Sequence, residues 1–231
     1  MRSVSPNLFS LQKFYRTAIN SFDIIKQSEQ YAHKNGMCQI ETIEKWDAEG
    51  SESRDVGTFL HEQIEKYLKG QNPSFEFLFE YNGEIVNYQK TISIKQEFSY
   101  FIDFLRESEI NPFRSEWRIF DEKYKIAGTI DLICRNGSQF DIYDWKRSAK
   151  ASPNENVWQC GKNGLENVKD ISYYKYALQQ NLYKYILENN YGVKINKMNL
   201  IVLHPKYDTY VKYEIPKMDK EISIILDSLI N

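Results

Sequence analysis

The spacing of apolar residues along the chain predicts an alternation of helices and short strands. Leu60, Ile64 and Leu68 recur every four residues, which is typical of the buried face of a helix. Short runs rich in β-branched and aromatic residues, bounded by turn-forming residues, indicate strands. The predicted helices cover residues 8–33, 55–69, 95–107, 172–189 and 218–229. The predicted strands cover residues 75–81, 85–88, 115–120, 125–135, 139–146, 198–204 and 209–215.

The order of these elements predicts an α/β or α+β fold with a mixed central sheet flanked by helices. Asn136-Gly137 favours a tight turn, so the strands on either side of it are expected to pair as neighbours. Asn82-Gly83 is a second hairpin signal, although residues 71–91 are also compatible with a loop.

Length and composition fit one folded domain. The chain has 231 residues, and 42% of them are hydrophobic, which is enough for a core. We expect one domain over residues 1–231, with residues 1–50 as an N-terminal helical addition. The composition of residues 148–170 predicts a polar loop. No apolar run approaches the roughly 20 residues of a membrane-spanning helix, so no membrane partner is expected.

The charge of the chain gives no general attraction to nucleic acid, because the net charge is −2. Binding of nucleic acid must therefore come from local clusters of basic residues. Lys146, Arg147 and Lys150 form one such cluster. A run of basic residues is equally typical of a solvated surface, so the cluster by itself does not decide between the two.

The cysteines Cys38, Cys134 and Cys160 are odd in number and far apart in sequence. Without a C-x-x-C pair, we expect no disulfide framework, zinc ribbon or iron–sulfur cluster. This pattern predicts an intracellular, reducing compartment. Residues 1–22 carry basic residues and serines but no acid, as a mitochondrial targeting segment does, but the spacing of their aromatic residues favours a packed amphipathic helix.

Two predicted neighbouring strands carry an acid each, Asp131 and Asp144, and the second also carries Lys146. Mg²⁺ and Mn²⁺ prefer hard oxygen ligands, and two carboxylates on adjacent strands can bind such an ion. Lys146 lies two residues beyond Asp144, so both side chains should share one face of the strand. Trp145 should point to the opposite face, towards a core, while its backbone carbonyl remains available to a metal. An aspartate that caps a turn and a surface lysine would explain the same residues without a metal site.

Two helical positions add polar groups at a spacing of four residues. His61 and Glu65 share a helix face, and a neutral imidazole there can bind a metal. Gln179 and Tyr183 also share a face, which indicates a buried hydrogen bond or a contact to a substrate. A lone helical histidine is more often structural, and an amphipathic surface explains the second pair equally well.

Taken together, these elements resemble the PD-(D/E)XK nuclease superfamily in its RecB-like branch. That branch includes mitochondrial genome-maintenance exonucleases, and nucleases of large DNA viruses look similar. The resemblance covers roughly residues 55–205. It rests on the family's G-x-x-x-H, G-x-x-D, D-x-K and Q-x-x-x-Y patterns, whose matching positions are His61, Asp131, Asp144, Lys146, Gln179 and Tyr183.

The resemblance implies a restriction-endonuclease-like core and a Mg²⁺- or Mn²⁺-dependent nuclease. The implied metal ligands are His61, Asp131, Asp144 and the backbone carbonyl of Trp145, with Glu116 as a ligand of a second ion. The implied catalytic residues are Asp131, Asp144 and Lys146. The implied substrate-binding residues are Gln179, Tyr183, Arg147 and Lys150.

The resemblance also implies a substrate and a biological role. We expect an exonuclease on single-stranded or frayed DNA ends, acting in repair, recombination or replication. No P-loop is present, so a helicase or recombination protein that works with it would be a separate chain. The cysteines of the iron–sulfur members of the family are absent, so that cofactor is not expected.

Three alternatives remain open at the level of sequence. The same site can serve a structure-selective endonuclease. The chain can also be a nucleic-acid-binding subunit without catalysis, although every matched position keeps a chemically competent residue. A metal hydrolase for another class of substrate is the third alternative.

Overall fold

The computed structural model describes residues 21–157 and 159–230 of the chain. The chain divides into two compact units. We call Ala18–Ser99 the N-terminal unit and Tyr100–Asn231 the C-terminal unit. The expectation of one domain with a helical addition over residues 1–50 stays a prediction. Residues 1–20, which hold the first part of the predicted helix and the basic leader-like segment, lie outside the described residues.

The N-terminal unit contains two helices and a hairpin. Helix α1 spans Ser21–Asn35 and helix α2 spans Gln39–Leu68. Strands β1 (Glu76–Asn82) and β2 (Asn87–Ser93) pair antiparallel, which confirms the hairpin at Asn82-Gly83 and excludes the loop.

Helix α2 is longer than the sequence predicted, and the predicted start near Asp55 was wrong. The helix begins at Gln39, where the sulfur of Cys38 accepts a hydrogen bond from the backbone N–H of Glu41. A glycine inside a helix costs about 1 kcal/mol relative to alanine, and α2 contains Gly50. The buried side chains of Thr42 and Ala48 on the early turns compensate for that cost.

The C-terminal unit is built on a five-stranded sheet. Helix α3 (Lys95–Glu107), which begins in the N-terminal unit, is followed by strands β3 (Pro112–Asp121), β4 (Ile126–Asn136) and β5 (Gln139–Lys146). Helix α4 (Ser172–Asn190), strands β6 (Ile195–Val202) and β7 (Val211–Glu214), and helix α5 (Asp219–Ile230) complete it.

The strands of this sheet lie in the order β3-β4-β5-β6-β7. Strands β5 and β6 pair parallel and the other neighbours pair antiparallel. The sheet is therefore mixed, which confirms the predicted fold class of an α+β protein with helices around a mixed sheet. The final strand is shorter than the predicted 209–215.

Both faces of the sheet are covered in the C-terminal unit. Ile142 of β5 belongs to the core that includes Leu182 of α4. Trp145 of the same strand points to the opposite face of the sheet, where its ring packs edge-on against Phe101 and Phe104 of α3. Trp145 is 1% exposed, so its prediction as a core residue is confirmed.

The segment between β5 and α4 is polar but ordered by internal contacts. Cys160 and Lys169 form an isolated antiparallel bridge, and Leu165 and Val168 are buried. Among the described residues, every helix is too short or too polar to cross a membrane.

Candidate active site

Two buried aspartates lie side by side on β4 and β5. Leu132 pairs with Tyr143, so Asp131 and Asp144 occupy the adjacent position of the same ladder. Asp131 is 9% exposed and Asp144 is 4% exposed. One carboxylate oxygen of Asp131 accepts a hydrogen bond of 2.8 Å from the backbone N–H of Trp145. This bond crosses between the two strands and fixes the direction of the Asp131 carboxylate.

Lys146 lies on the same face as Asp144, as the spacing in the strand predicted. Its ammonium nitrogen is 2.6 Å from a carboxylate oxygen of Asp144. Burial alone would lower the pKa of Lys146, but the charges of Asp144 and Asp131 raise it above its ordinary value. The negative charges of the acid pair therefore hold the ammonium group of Lys146 in place.

Helix α4 contributes a second layer of polar groups. The side-chain amide of Gln179 donates a hydrogen bond of 2.8 Å to the hydroxyl of Tyr183. Burial, followed by the charge of Asp144, raises the pKa of Tyr183 to about 12. Tyr183 is therefore a neutral hydroxyl at physiological pH, held close enough to the acid pair to sense its charge.

Tyr176 is a further neighbour of the site. The ammonium nitrogen of Lys146 lies 5.2 Å from the centre of the Tyr176 ring, within the range of a cation–π contact. The helical spacing of Tyr176, Gln179 and Tyr183 places them on one face. That spacing is the signal in the sequence that points to Tyr176.

The glycine of the G-x-x-D pattern has a steric role here. A Cβ atom added to Gly128 would lie 2.3 Å from a ring carbon of Tyr183 and 2.9 Å from its hydroxyl oxygen. Real Cβ atoms do not approach other atoms so closely, so any side chain at position 128 would force the Tyr183 ring to move. Gly128 therefore allows the Tyr183 ring to lie directly against β4.

Glu116 on β3 brings a third carboxylate to the acid pair. Ser115 pairs with Leu132 and Trp117 pairs with Ile130, which places Glu116 opposite Asp131. Oxygen atoms of Glu116 and Asp131 lie within 4.8 Å of each other. The backbone of Glu116 has a φ of 47°, the left-handed region that costs a non-glycine residue about 1–2 kcal/mol. Sequence reasoning named Glu116 but had no signal for this conformation.

The donor set of the site fits a divalent cation of the Mg²⁺ or Mn²⁺ type. Asp131, Asp144 and Glu116 offer only oxygen atoms, which these ions prefer to nitrogen or sulfur. The carboxylates come from three adjacent strands, which a rigid sheet holds at short range. The carbonyl of Trp145 lies in the same strand as Asp144.

The other predicted site residues lie at different places in the fold. Arg147 is half-buried directly after β5, and Lys150 is exposed three residues further on. His61 lies on α2 in the N-terminal unit, and its role as a ligand stays a prediction from the sequence.

Comparison with known proteins gives one match that bears on function. The model of a family described as the PD-(D/E)XK nuclease superfamily matches residues 36–223. No curated protein matches the chain significantly. Among the solved structures that match is the crystal structure of SSO0001, which is 16% identical in sequence. The matched region covers 89% of this chain and 70% of the SSO0001 chain, with a TM-score of 0.36. A likeness at that score supports no inference about function.

Proposed function

The chain belongs to the PD-(D/E)XK nuclease superfamily, and from that premise we propose that it is a metal-dependent exonuclease of DNA. The observation that supports this most is the acid pair Asp131–Asp144 with Lys146 ion-paired to it. The proposed substrates are single-stranded or frayed DNA ends. Such ends arise in repair, recombination and replication.

The proposed metal ligands are the carboxylates of Asp131 and Asp144 and the carbonyl of Trp145. Glu116 is proposed to bind a second ion, since it lies within reach of Asp131. A divalent cation bound there supplies charge stabilisation at the phosphate and lowers the pKa of a coordinated water. The ions that suit this oxygen-rich set are Mg²⁺ and Mn²⁺.

Lys146 is proposed to act on the scissile phosphate or on the attacking water. Its ammonium group donates hydrogen bonds and carries a charge of opposite sign to that of the acid pair. From there it can orient the water or neutralise the negative charge that develops on the phosphate oxygens. The Trp145 N–H holds Asp131 in one orientation while this happens.

Gln179 and Tyr183 are proposed to position the DNA strand. Their hydrogen bond fixes both side chains, and the raised pKa of Tyr183 keeps its hydroxyl protonated as a donor. Arg147 and Lys150 are proposed to bind phosphates further along the strand. These assignments rest on the sequence pattern and on the positions of the residues after β5 and on α4.

A direct assay separates the proposed exonuclease from an endonuclease. The purified chain is incubated with linear DNA labelled at the 5′ or the 3′ end, frayed duplex, and circular single-stranded DNA. Each reaction contains Mg²⁺, Mn²⁺ or EDTA. We expect degradation of linear and frayed DNA with a metal and an intact circle. Cleavage of the circle would favour the structure-selective endonuclease.

Substitutions at the acid pair test the catalytic assignment. Asp144→Ala and Lys146→Ala should each reduce metal-dependent degradation by about a hundredfold or more, because each removes an electrostatic element of the transition state. Lys197→Ala is a matched control, since Lys197 is also a strand lysine paired with a carboxylate, that of Glu214 at 2.8 Å. Circular dichroism checks the folding of each variant. Equal activity of the wild type and both site variants would refute the assignment.

A further inference from the structure

Five aromatic rings form a continuous row along the strand β3, which is the first strand of the sheet. Neighbouring ring centres are separated by 5.1, 6.4, 5.5 and 6.5 Å. The rings of this row, in spatial order, are Phe140, Phe113, Trp117, Tyr191 and Phe120. We call it the ring row.

The ring row is open to solvent over part of its length. Phe113 is 46% exposed and Phe120 is 54% exposed. Trp117, Phe140 and Tyr191 are partly buried and pack against the core. Exposed aromatic rings in a contiguous group indicate a surface that binds something, because isolated exposed rings are ordinary but rows are not.

Arginine side chains lie on the ring row. The guanidinium carbon of Arg135 is 5.4 Å from the centres of the Phe113 and Phe140 rings. That of Arg114 is 4.9 Å from the Trp117 ring. A guanidinium group that stacks on a ring keeps the N–H groups at its edge for an anion such as phosphate. Arg118 adds an exposed guanidinium on the same strand.

The combination of rings and arginines discriminates between possible occupants. A strand of nucleic acid offers flat unpaired bases that stack on rings, and phosphates that bind guanidinium groups. A second copy of the chain would bring arginines against arginines, which is unfavourable. The chemistry of the row therefore favours single-stranded nucleic acid.

The position of the ring row relates it to the acid pair. Glu116 lies between Phe113 and Trp117 in β3, and it is opposite Asp131. The ring row and Glu116 therefore share one strand, β3. No sequence pattern singled out this surface, because the row is assembled from three elements that are distant in the chain.

We propose that the ring row and its arginines form a stacking platform that holds unpaired bases of a nucleic-acid strand along β3, the strand that carries Glu116. The platform deepens the nuclease function proposed above and rests on it for its biological meaning. Its binding is tested without catalysis, so that the two proposals can fail separately.

The first experiment measures equilibrium binding in EDTA by fluorescence anisotropy. The probes are a labelled single-stranded oligothymidine and an oligonucleotide of the same length with abasic sites throughout. Both carry the same phosphates, and only the first can stack. We expect the abasic probe to bind roughly tenfold or more weakly. Equal affinity for the two probes would overturn the platform, as would the lack of binding of either probe.

Substitution of Phe113 localises the stacking. Phe113→Ala should weaken binding of oligothymidine by roughly fivefold or more and leave the abasic probe unchanged. Tyr67→Ala is the matched control, because Tyr67 is 41% exposed on α2 and lies outside the row. A second variant, Trp117→Phe, keeps an aromatic ring at this position. Stacking of a base on Trp117 should quench its fluorescence, and this part of the quenching should disappear in the variant. Unchanged affinity in Phe113→Ala together with unchanged quenching in Trp117→Phe would overturn the proposal.

The arginines are tested by the dependence of binding on salt. Each phosphate contact contributes about 0.7 to the slope of log affinity against log salt for single strands. Arg114→Ala should lower that slope by about this amount, whereas Arg106→Ala should not, because Arg106 is 75% exposed on α3 away from the row. The same slope in both variants would exclude Arg114 as a phosphate contact and contradict the platform.

The outcomes distinguish the platform from the proposed function. If the wild type degrades linear DNA while Phe113→Ala binds normally and Trp117→Phe shows unchanged quenching, the nuclease stands and the platform fails. If the wild type leaves all DNA intact but discriminates between the two probes, the platform stands and the nuclease fails. Loss of self-association in Phe113→Ala, with unchanged binding of DNA, would assign the row to contact between two copies and refute the proposal.

Discussion

Glu116 is a residue in which local backbone preference and side-chain position oppose each other. Its left-handed φ of 47° is unfavourable for any residue with a Cβ. The same conformation holds its carboxylate within 4.8 Å of Asp131, where like charges repel each other in the absence of a cation. Strain of this kind persists where the surrounding structure fixes it, and it is concentrated at functional sites.

Glu116→Gly should therefore stabilise the metal-free protein by about 0.5–1 kcal/mol, because glycine adopts a positive φ without strain. It should also weaken the binding of a second ion. Urea unfolding monitored by circular dichroism measures the first effect, and calorimetric titration with Mn²⁺ measures the second. Glu116→Gln removes the charge but keeps the strain, so it separates the two causes. A lower free energy of unfolding in Glu116→Gly would contradict this explanation.

At the scale of secondary-structure elements, α4 and β4 are in contact through Gly128 and Tyr183. The Tyr183 ring occupies the space where a Cβ on residue 128 would lie. The hydrogen bond from Gln179 then holds the Tyr183 hydroxyl in place. The G-x-x-D and Q-x-x-x-Y patterns, which are separate in the sequence, thus meet at one packing contact.

Gly128→Ala should destabilise the protein by about 1–3 kcal/mol, since a methyl group overpacks this contact. A double-mutant cycle with Tyr183→Ala tests the cause. In the Tyr183→Ala background the added methyl group has space, so the cost of Gly128→Ala should largely vanish. The free energies come from urea unfolding of the four proteins. Additive costs would show that Tyr183 is not the obstacle.

At the scale of the whole molecule, buried tyrosines predict how stability depends on alkaline pH. Burial raises the pKa of both Tyr143 and Tyr183 to about 12. An unfolded tyrosine titrates near 10. Because the folded pKa is the higher one, the stabilisation is complete below about pH 10 and is lost as the pH rises towards 12.

The free energy of unfolding should consequently fall between about pH 10 and pH 12. Urea midpoints measured across this range, with tyrosinate absorbance recorded in parallel, test the expectation. Tyr183→Phe removes one titrating group and should make the fall shallower. Tyr31→Phe, at a residue that is 47% exposed, is the control and should leave the slope unchanged. A slope that Tyr183→Phe does not alter would be inconsistent with the burial of its hydroxyl as the cause.

The features that could be predicted from the sequence are those with a local physical cause. Runs of β-branched and aromatic residues between turns predicted the strands of the C-terminal unit, and the Asn82-Gly83 turn signal indicated the hairpin. Period-two spacing predicted the common face of Asp144 and Lys146. The extent of α2 and the backbone of Glu116 have tertiary causes, burial in one case and the position in the sheet in the other. Neither cause has a signature in a short window of residues. The ring row required the packing of β3, β5 and the end of α4.

The contact between Gly128 and Tyr183 also limits the order in which substitutions can accumulate in a lineage. A descendant that gains any side chain at position 128 while it still has the tyrosine must pass through a destabilised form. If the tyrosine is lost first, the space opens and position 128 can then accept other residues. Once position 128 carries a side chain, a return of the tyrosine destabilises the protein. We therefore expect related chains that keep the tyrosine to keep the glycine as well.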